Sequence, residues 1–196
     1  MKIYDISQEV FSCAVFPGDP KPEKQTLCET AAGDLYNLTA FSMCAHNGTH
    51  VDAPFHFIHE GKPVDKMELS VFVGDCYVAR HEGAVTAADA EAILKNAAGT
   101  ERILIAGKAT VTEAAAAVFA AGGIRLLGNE SQTVGPENAP MQVHLILLGK
   151  GIALLEGVVL KDVPQGRYFL SAAPLNLRGA DGAPCRACLI DWEGAI

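Results

Sequence analysis

Positive charge is scarce in this 196-residue chain: 15 lysines and arginines stand against 23 aspartates and glutamates, a formal net charge of −8. A surface of that sign repels phosphate backbones and anionic lipid, which excludes nucleic acid and membrane surfaces as partners. No apolar run approaches the ~20 residues of a membrane-spanning helix. The opening Met1-Lys2-Ile3-Tyr4-Asp5 meets an acidic residue too early for a secretory signal, so a cytoplasmic protein is expected. There is no internal repeat, low-complexity tract or linker. With 49% hydrophobic and 19% charged residues, the chain reads as one globular domain over residues 1–196, long enough to bury its own core. Cys13, Cys28, Cys44, Cys76, Cys185 and Cys188 are scattered, and the Cys185–Cys188 pair lacks a second C-x-x-C. They are expected to be reduced and structural, with Cys44 the thiol to watch near the site developed below.

Hydrophobic patterning predicts an α/β domain, rich in sheet and flanked by helices. Strands are expected at residues 2–7, 38–43, 71–79, 102–106, 124–127 and 152–155, with more β structure at 167–172, 174–177 and 187–191. Thr86 with Asp89 three residues on has the spacing of a capping box, predicting a helix over 86–98 that Gly99 ends. Thr112 caps a second, alanine-rich helix that stops at Gly122-Gly123. Asn138 and Pro140 start a third through residues 141–148. Strands alternating with helices indicate α/β architecture.

The densest chemistry lies between His46 and Phe57. His46, His50, Asp52 and His56 all fall at even positions, and in an extended chain even positions share a face. Gly48 and Pro54 share that parity, and Gly48 would leave a gap for a ligand or water. Imidazole and carboxylate suit zinc, manganese or ferrous iron. The pattern is not H-E-x-x-H, because residue 47 is Asn, and Gly48 and Pro54 argue against a continuous helix; a metal site on a strand or loop is expected. His59 has the wrong parity and is expected in solvent. Phe16-Pro17-Gly18-Asp19-Pro20 is a turn, either a plain surface loop or a rim that sets Phe16 over a pocket. The loop after the strand near 127, from Gly128 to Thr133, is where α/β proteins place ligand-binding segments. His144, alone among aliphatics, reads either as a satisfied core histidine or as a ligand. Glu156 closes an apolar strand, which is costly for a carboxylate unless it is paired or holds a cation. Together they form a candidate second half of the metal site.

The stretch His46 to Phe57 resembles the H-x-G-T-H-x-D-x-P-x-H-F signature of the cyclase family of metal-dependent hydrolases, which includes bacterial kynurenine formamidases and isatin hydrolases. Pro17-Gly18-Asp19 resembles its early loop, His144 and Glu156 its late ligand pair, and Pro184, Arg186 and Ala187 its closing element. The resemblance implies a swivelling β/β/α domain, dimeric or of higher order, with one or two divalent ions, zinc or manganese. It makes His46, His50 and Asp52 ligands of a first metal, and Asp52, Glu156 and His144 ligands of a second. His56 would be the general acid/base. The implied reaction is attack of metal-bound hydroxide on a small amide, an arylformamide such as N-formylkynurenine, with a cyclic amide or lactone as the alternative. A metal-binding protein without catalysis is a third reading, against which the retained His56 speaks. Phe16 stands where the formamidases tend to carry Trp, and Asn129 where they commonly carry Asp; both departures bear on substrate.

Overall fold

Continuously apolar strands take the middle of the sheet, because only there are both faces covered. The computed structural model describes residues 1–192. Its elements run β1 (Lys2–Asp5), β2 (Glu23–Cys28), β3 (Leu38–Ser42), β4 (His50–Asp52), β5 (Val73–Arg80), β6 (Gly83–Val85), α1 (Ala87–Ala97), β7 (Arg102–Ala106) and β8 (Ala109–Val111). Then follow α2 (Glu113–Ala121), β9 (Leu126–Asn129), α3 (Met141–Leu148), β10 (Ala153–Glu156), β11 (Gly166–Ser171), β12 (Gly182–Pro184) and β13 (Cys188–Asp191). Nine strands form the main sheet in the order β1-β13-β11-β5-β7-β9-β10-β4-β12. Its centre, β5 to β10, is parallel, and its flanks are antiparallel.

The three helices connect the parallel strands and cover one face. Tyr77, Ile103, Ile105, Leu127 and Leu154 pack there with Ile93, Phe119 and Leu147 of the helices. On the opposite face Val78, Leu104, Leu126 and Leu155 share a core with Ile6, Val51, Leu170 and Leu189. Those partners come from the two flanks, so the sheet curls until its outer strands close over its centre. Val159 N–H donates to Ile6 O across the closure, and Cys185 N–H to Thr49 O extends the β12–β4 pairing. The result is the expected α/β fold, sheet-rich with flanking helices.

Local signals account for most boundaries. Thr86 and Asp89 form the predicted reciprocal cap, and Thr112 caps α2, which stops before Gly122. In α1 the chain turns one residue before Gly99, with Ala98 itself left-handed at φ 46°. The strand expected over 124–127 lies at 126–129 and takes in Gly128. An added Cβ there would meet Leu155 O at 2.4 Å, so glycine lets β9 and β10 pair closely. Residues 174–177 are not a strand: Leu175 and Leu177 point outward and find no apolar partner face. β2 and β3 form a separate ribbon whose Leu27, Leu38 and Phe41 are exposed.

Candidate metal centre

β4 is only three residues long, yet it holds the site together. It lies between β10 and β12, with His50 opposite Glu156 and Asp52 opposite Leu154 and Gly182. That register brings the motif and the late carboxylate to one place. The shared-face expectation holds for His50 and Asp52 alone. His46 arrives on a turn and His56 on one 3₁₀ turn, Pro54–His56. Gly48, at φ +64°, reverses the chain before β4, and Pro54 opens the turn after it. The gap expected at Gly48 is filled from the protein: an added Cβ would meet Cys13 Cβ at 2.8 Å.

Four ionisable side chains are almost wholly withdrawn from water: His50 and Asp52 at 1% exposure, Glu156 at 2% and His144 at 3%. His50 donates from Nδ1 to Gly48 O at 3.0 Å, and His144 donates from Nδ1 to Pro140 O at 2.9 Å. Both therefore turn Nε2 inward, a common way of fixing a metal-ligating imidazole. His50 Nε2 lies 3.4 Å from Asp52 Oδ1 and 3.5 Å from Glu156 Oε2. His144 Nε2 lies 3.2 Å from Glu156 Oε1 and 3.5 Å from Asp52 Oδ2. Glu156 Oε1 also accepts from Val134 N–H at 2.8 Å. Among the described residues, none hydrogen-bonds the buried Asp52 Oδ2.

His46 extends the cluster, with Nδ1 2.8 Å from Asp52 Oδ1 and Nε2 2.8 Å from Asp181 Oδ2. The ring of His56 stacks on it at 4.1 Å between centroids, and His56 Nδ1 lies 3.0 Å from the same Asp181 oxygen. Burial works against charge on His50 and His144, but Asp52 and Glu156 outweigh it and push each up to about 10. At Asp52, burial is likewise outweighed, by His144, His46 and His50, and its pKa falls well below the ordinary carboxylate value.

The residues fit a divalent cation. Donor atoms of His50, Asp52 and Glu156 lie within 4.8 Å of one another, as do those of His46, Asp52 and His56. A buried carboxylate oxygen that no described residue hydrogen-bonds, set among inward-facing imidazoles, is the arrangement a cation would satisfy. A cavity of about 260 Å³ opens onto the cluster, walled also by Phe16, Asp19, Phe57, Gln132 and Thr133. Among the described residues, none of those lining it is lysine or arginine.

Phe16 thus lines the pocket, and Cys44 sits behind it, its Sγ 3.7 Å from Asp19 Oδ2. His59 is exposed. Asn129 does not line the cavity: it is fully buried and donates to Ala109 O and Thr133 O, so it shapes the loop from behind. Arg186 pairs with Asp5 at the surface, away from the cluster. The six cysteines are free, and burial pushes the Cys185 thiol up to about 12, which suits an inert side chain. The loop expected to bind a ligand does reach the cavity through Gln132 and Thr133, whereas sequence reasoning missed Asp181. Asp181-Gly182 reads as an ordinary turn, and only the β12–β4 pairing sets it beside the motif.

Comparison with known proteins shows the family. The sequence profile described as Putative cyclase matches residues 4–136. A kynurenine formamidase of Salinibacter ruber is 35% identical over 213 residues, covering 97% of this chain and 98% of that protein. One from Erythrobacter litoralis is 31% identical over 208 residues, covering 99% and 96%. A solved structure of a predicted metal-dependent hydrolase from Bacillus stearothermophilus superimposes with a TM-score of 0.81 at 29% identity, covering 96% and 97%. Isatin hydrolase A of Labrenzia aggregata shares the fold, with a TM-score of 0.83 at 20% identity, covering 96% and 93%. The chain belongs to the cyclase family of metal-dependent hydrolases.

Proposed function

We propose that this protein is a metal-dependent hydrolase of a small amide, with an arylformamide such as N-formylkynurenine as its substrate. The observation that carries the reading is the buried His50–Asp52–His144–Glu156 cluster beside a cavity with an aromatic wall. The full-length relatives named kynurenine formamidase favour the arylformamide over a cyclic amide or lactone. His46, His50 and Asp52 would hold one cation; Asp52, Glu156 and His144 would hold a second. Imidazole and carboxylate donors without a thiolate suit zinc or manganese.

A divalent ion bound there would supply an activated water near neutral pH and polarise the scissile carbonyl. The protein supplies the rest. His56, half-buried at the cavity wall, takes the proton of the attacking water and returns it to the leaving nitrogen. Phe16 and Phe57 offer apolar faces to the aryl ring at the cavity wall. The exposed apolar residues of the β2–β3 ribbon support a homodimer or higher homo-oligomer. Six free thiols support a reducing compartment such as the cytoplasm. No helix among the described residues is long and apolar enough to cross a membrane.

The test uses chelator-stripped protein reloaded with zinc or manganese, assayed for kynurenine release from N-formylkynurenine. Chelator-sensitive release is expected; metal-loaded protein that leaves the substrate intact refutes the arylformamide reading. His56→Ala should retain its metal and lose roughly 10²–10⁴-fold in kcat, the usual share of general acid–base catalysis. Undiminished turnover in that variant would remove His56 from the mechanism.

A further inference from the structure

We propose that Asp181 is a positioning residue that sets the proton placement of two histidines at once, directing His46 Nδ1 toward the metal ligands and leaving His56 Nε2 as the base. The proposal deepens the hydrolase reading and rests on it for the roles of His46 and His56.

Asp181 precedes β12, and its place relative to the motif is fixed by backbone. Its carbonyl accepts from Ala53 N–H at 2.9 Å, and the next residue, Gly182, pairs with Asp52. Gly182 is what lets the contact form. A Cβ there would meet Val51 O at 2.5 Å and His46 Cε1 at 2.7 Å, so only a bare backbone allows the His46 ring to lie against this strand. The ring then reaches Asp181 Oδ2 with Nε2, and His56 reaches the same oxygen with Nδ1.

A carboxylate accepts and cannot donate, so each ring nitrogen facing Asp181 must carry the hydrogen. With hydrogen on His46 Nε2, its Nδ1, 2.8 Å from Asp52 Oδ1, becomes the nitrogen that turns ligand when a cation displaces its proton. With hydrogen on His56 Nδ1, its Nε2 is the one left to accept a proton.

The other two imidazoles offer an internal comparison. His50 and His144 have Nδ1 fixed by the backbone carbonyls of Gly48 and Pro140. At the nitrogens of His46 and His56 that face Asp181, no described residue places such a carbonyl; one side-chain oxygen serves both. Such outer partners typically contribute ~10–100-fold to metal affinity or activity.

The decisive experiment is long-range ¹H–¹⁵N correlation on histidine-labelled, zinc-loaded protein, which reports the protonated nitrogen of each ring. In the unmodified protein His56 should carry its hydrogen on Nδ1. In Asp181→Ala it should shift to Nε2, with His50 and His144 unchanged as evidence of an intact fold. Kcat should fall by roughly 10²-fold or more while KM changes by less than ~3-fold. Asp181→Asn keeps an accepting oxygen and should restore both the Nδ1–H form and most of kcat. An unshifted His56 in Asp181→Ala, or an Nε2–H form in the unmodified protein, overturns the proposal. If Asp181→Ala disturbs all four rings, the Asn variant decides: loss of the Nδ1–H form with His50 and His144 intact overturns it, and retention supports it. Failure to turn over N-formylkynurenine by protein whose rings behave as expected would refute the substrate reading alone.

Discussion

Replacing Glu156 by glutamine tests the metal centre with a change of one charge and almost no volume. Glu156 Oε1 accepts from Val134 N–H at 2.8 Å and faces His144 Nε2 at 3.2 Å, while Oε2 faces His50 Nε2 at 3.5 Å. A glutamine carbonyl can keep the Val134 contact, but its amide group then confronts His50 without negative charge. In chelated protein, Asp52 alone would balance two buried imidazoliums. Breaking a buried charge network by removing one partner costs about 3–5 kcal/mol. At roughly 2–4 °C per kcal/mol for a domain of this size, the Tm in chelator should fall by about 6–20 °C. Metal should also cease to raise Tm, because stabilisation by a ligand follows its affinity for the folded state. Thermal unfolding with chelator and with excess zinc, beside elemental analysis of dialysed protein, measures both effects. A Glu156→Gln protein with full metal content and an unchanged Tm would refute the assignment.

Other expectations follow from the same geometry. Since His50 and His144 are raised to about 10 in the folded chain, their protonation stabilises chelated protein fully below the unfolded value near 6.5, and this is lost as pH rises through about 10. A cation must displace those protons, so its affinity should climb between about pH 6.5 and 10, with proton release visible by calorimetry in buffers of different ionisation enthalpy; a flat affinity over that window contradicts it. Gly182→Ala should push His46 off β12 and lower zinc affinity, while wild-type affinity in a folded variant would show that the strand yields easily. Asp19 is an acidic group on a cavity wall without lysine or arginine among the described residues. Asp19→Asn should therefore raise KM for substrates bearing an ammonium group but not for neutral arylformamides, and equal effects on both would assign it to loop structure.

Much of this was present in local sequence. The capping box at Thr86, the buried run Arg102–Ala106 and the Pro140 start of α3 depend on neighbours a few residues away, and they appear where the sequence places them. The candidate ligand types at His46, His50 and Asp52 were legible because chemistry resides in the side chain itself. Alternation was a poorer guide to geometry: β4 spans three residues, and turns at Gly48 and Pro54 carry His46 and His56 inward. Local pattern could not show that Asn129 would donate behind the loop, that Gly48 would make room for Cys13, or that residues 174–177 would lack a face to pack on.

What the sequence determined by itself was an inventory: strands that must be buried, helices with their own stop signals, and imidazole and carboxylate groups of one chemical kind. The tertiary structure decided their company. Glu156 stands opposite His50, and Asp181 beside His46 and His56, only because β4 is inserted between β10 and β12. Those pairings join residues more than a hundred positions apart. They are set by the curl of a sheet burying its apolar inner face, a property of the whole domain that no short stretch of chain contains.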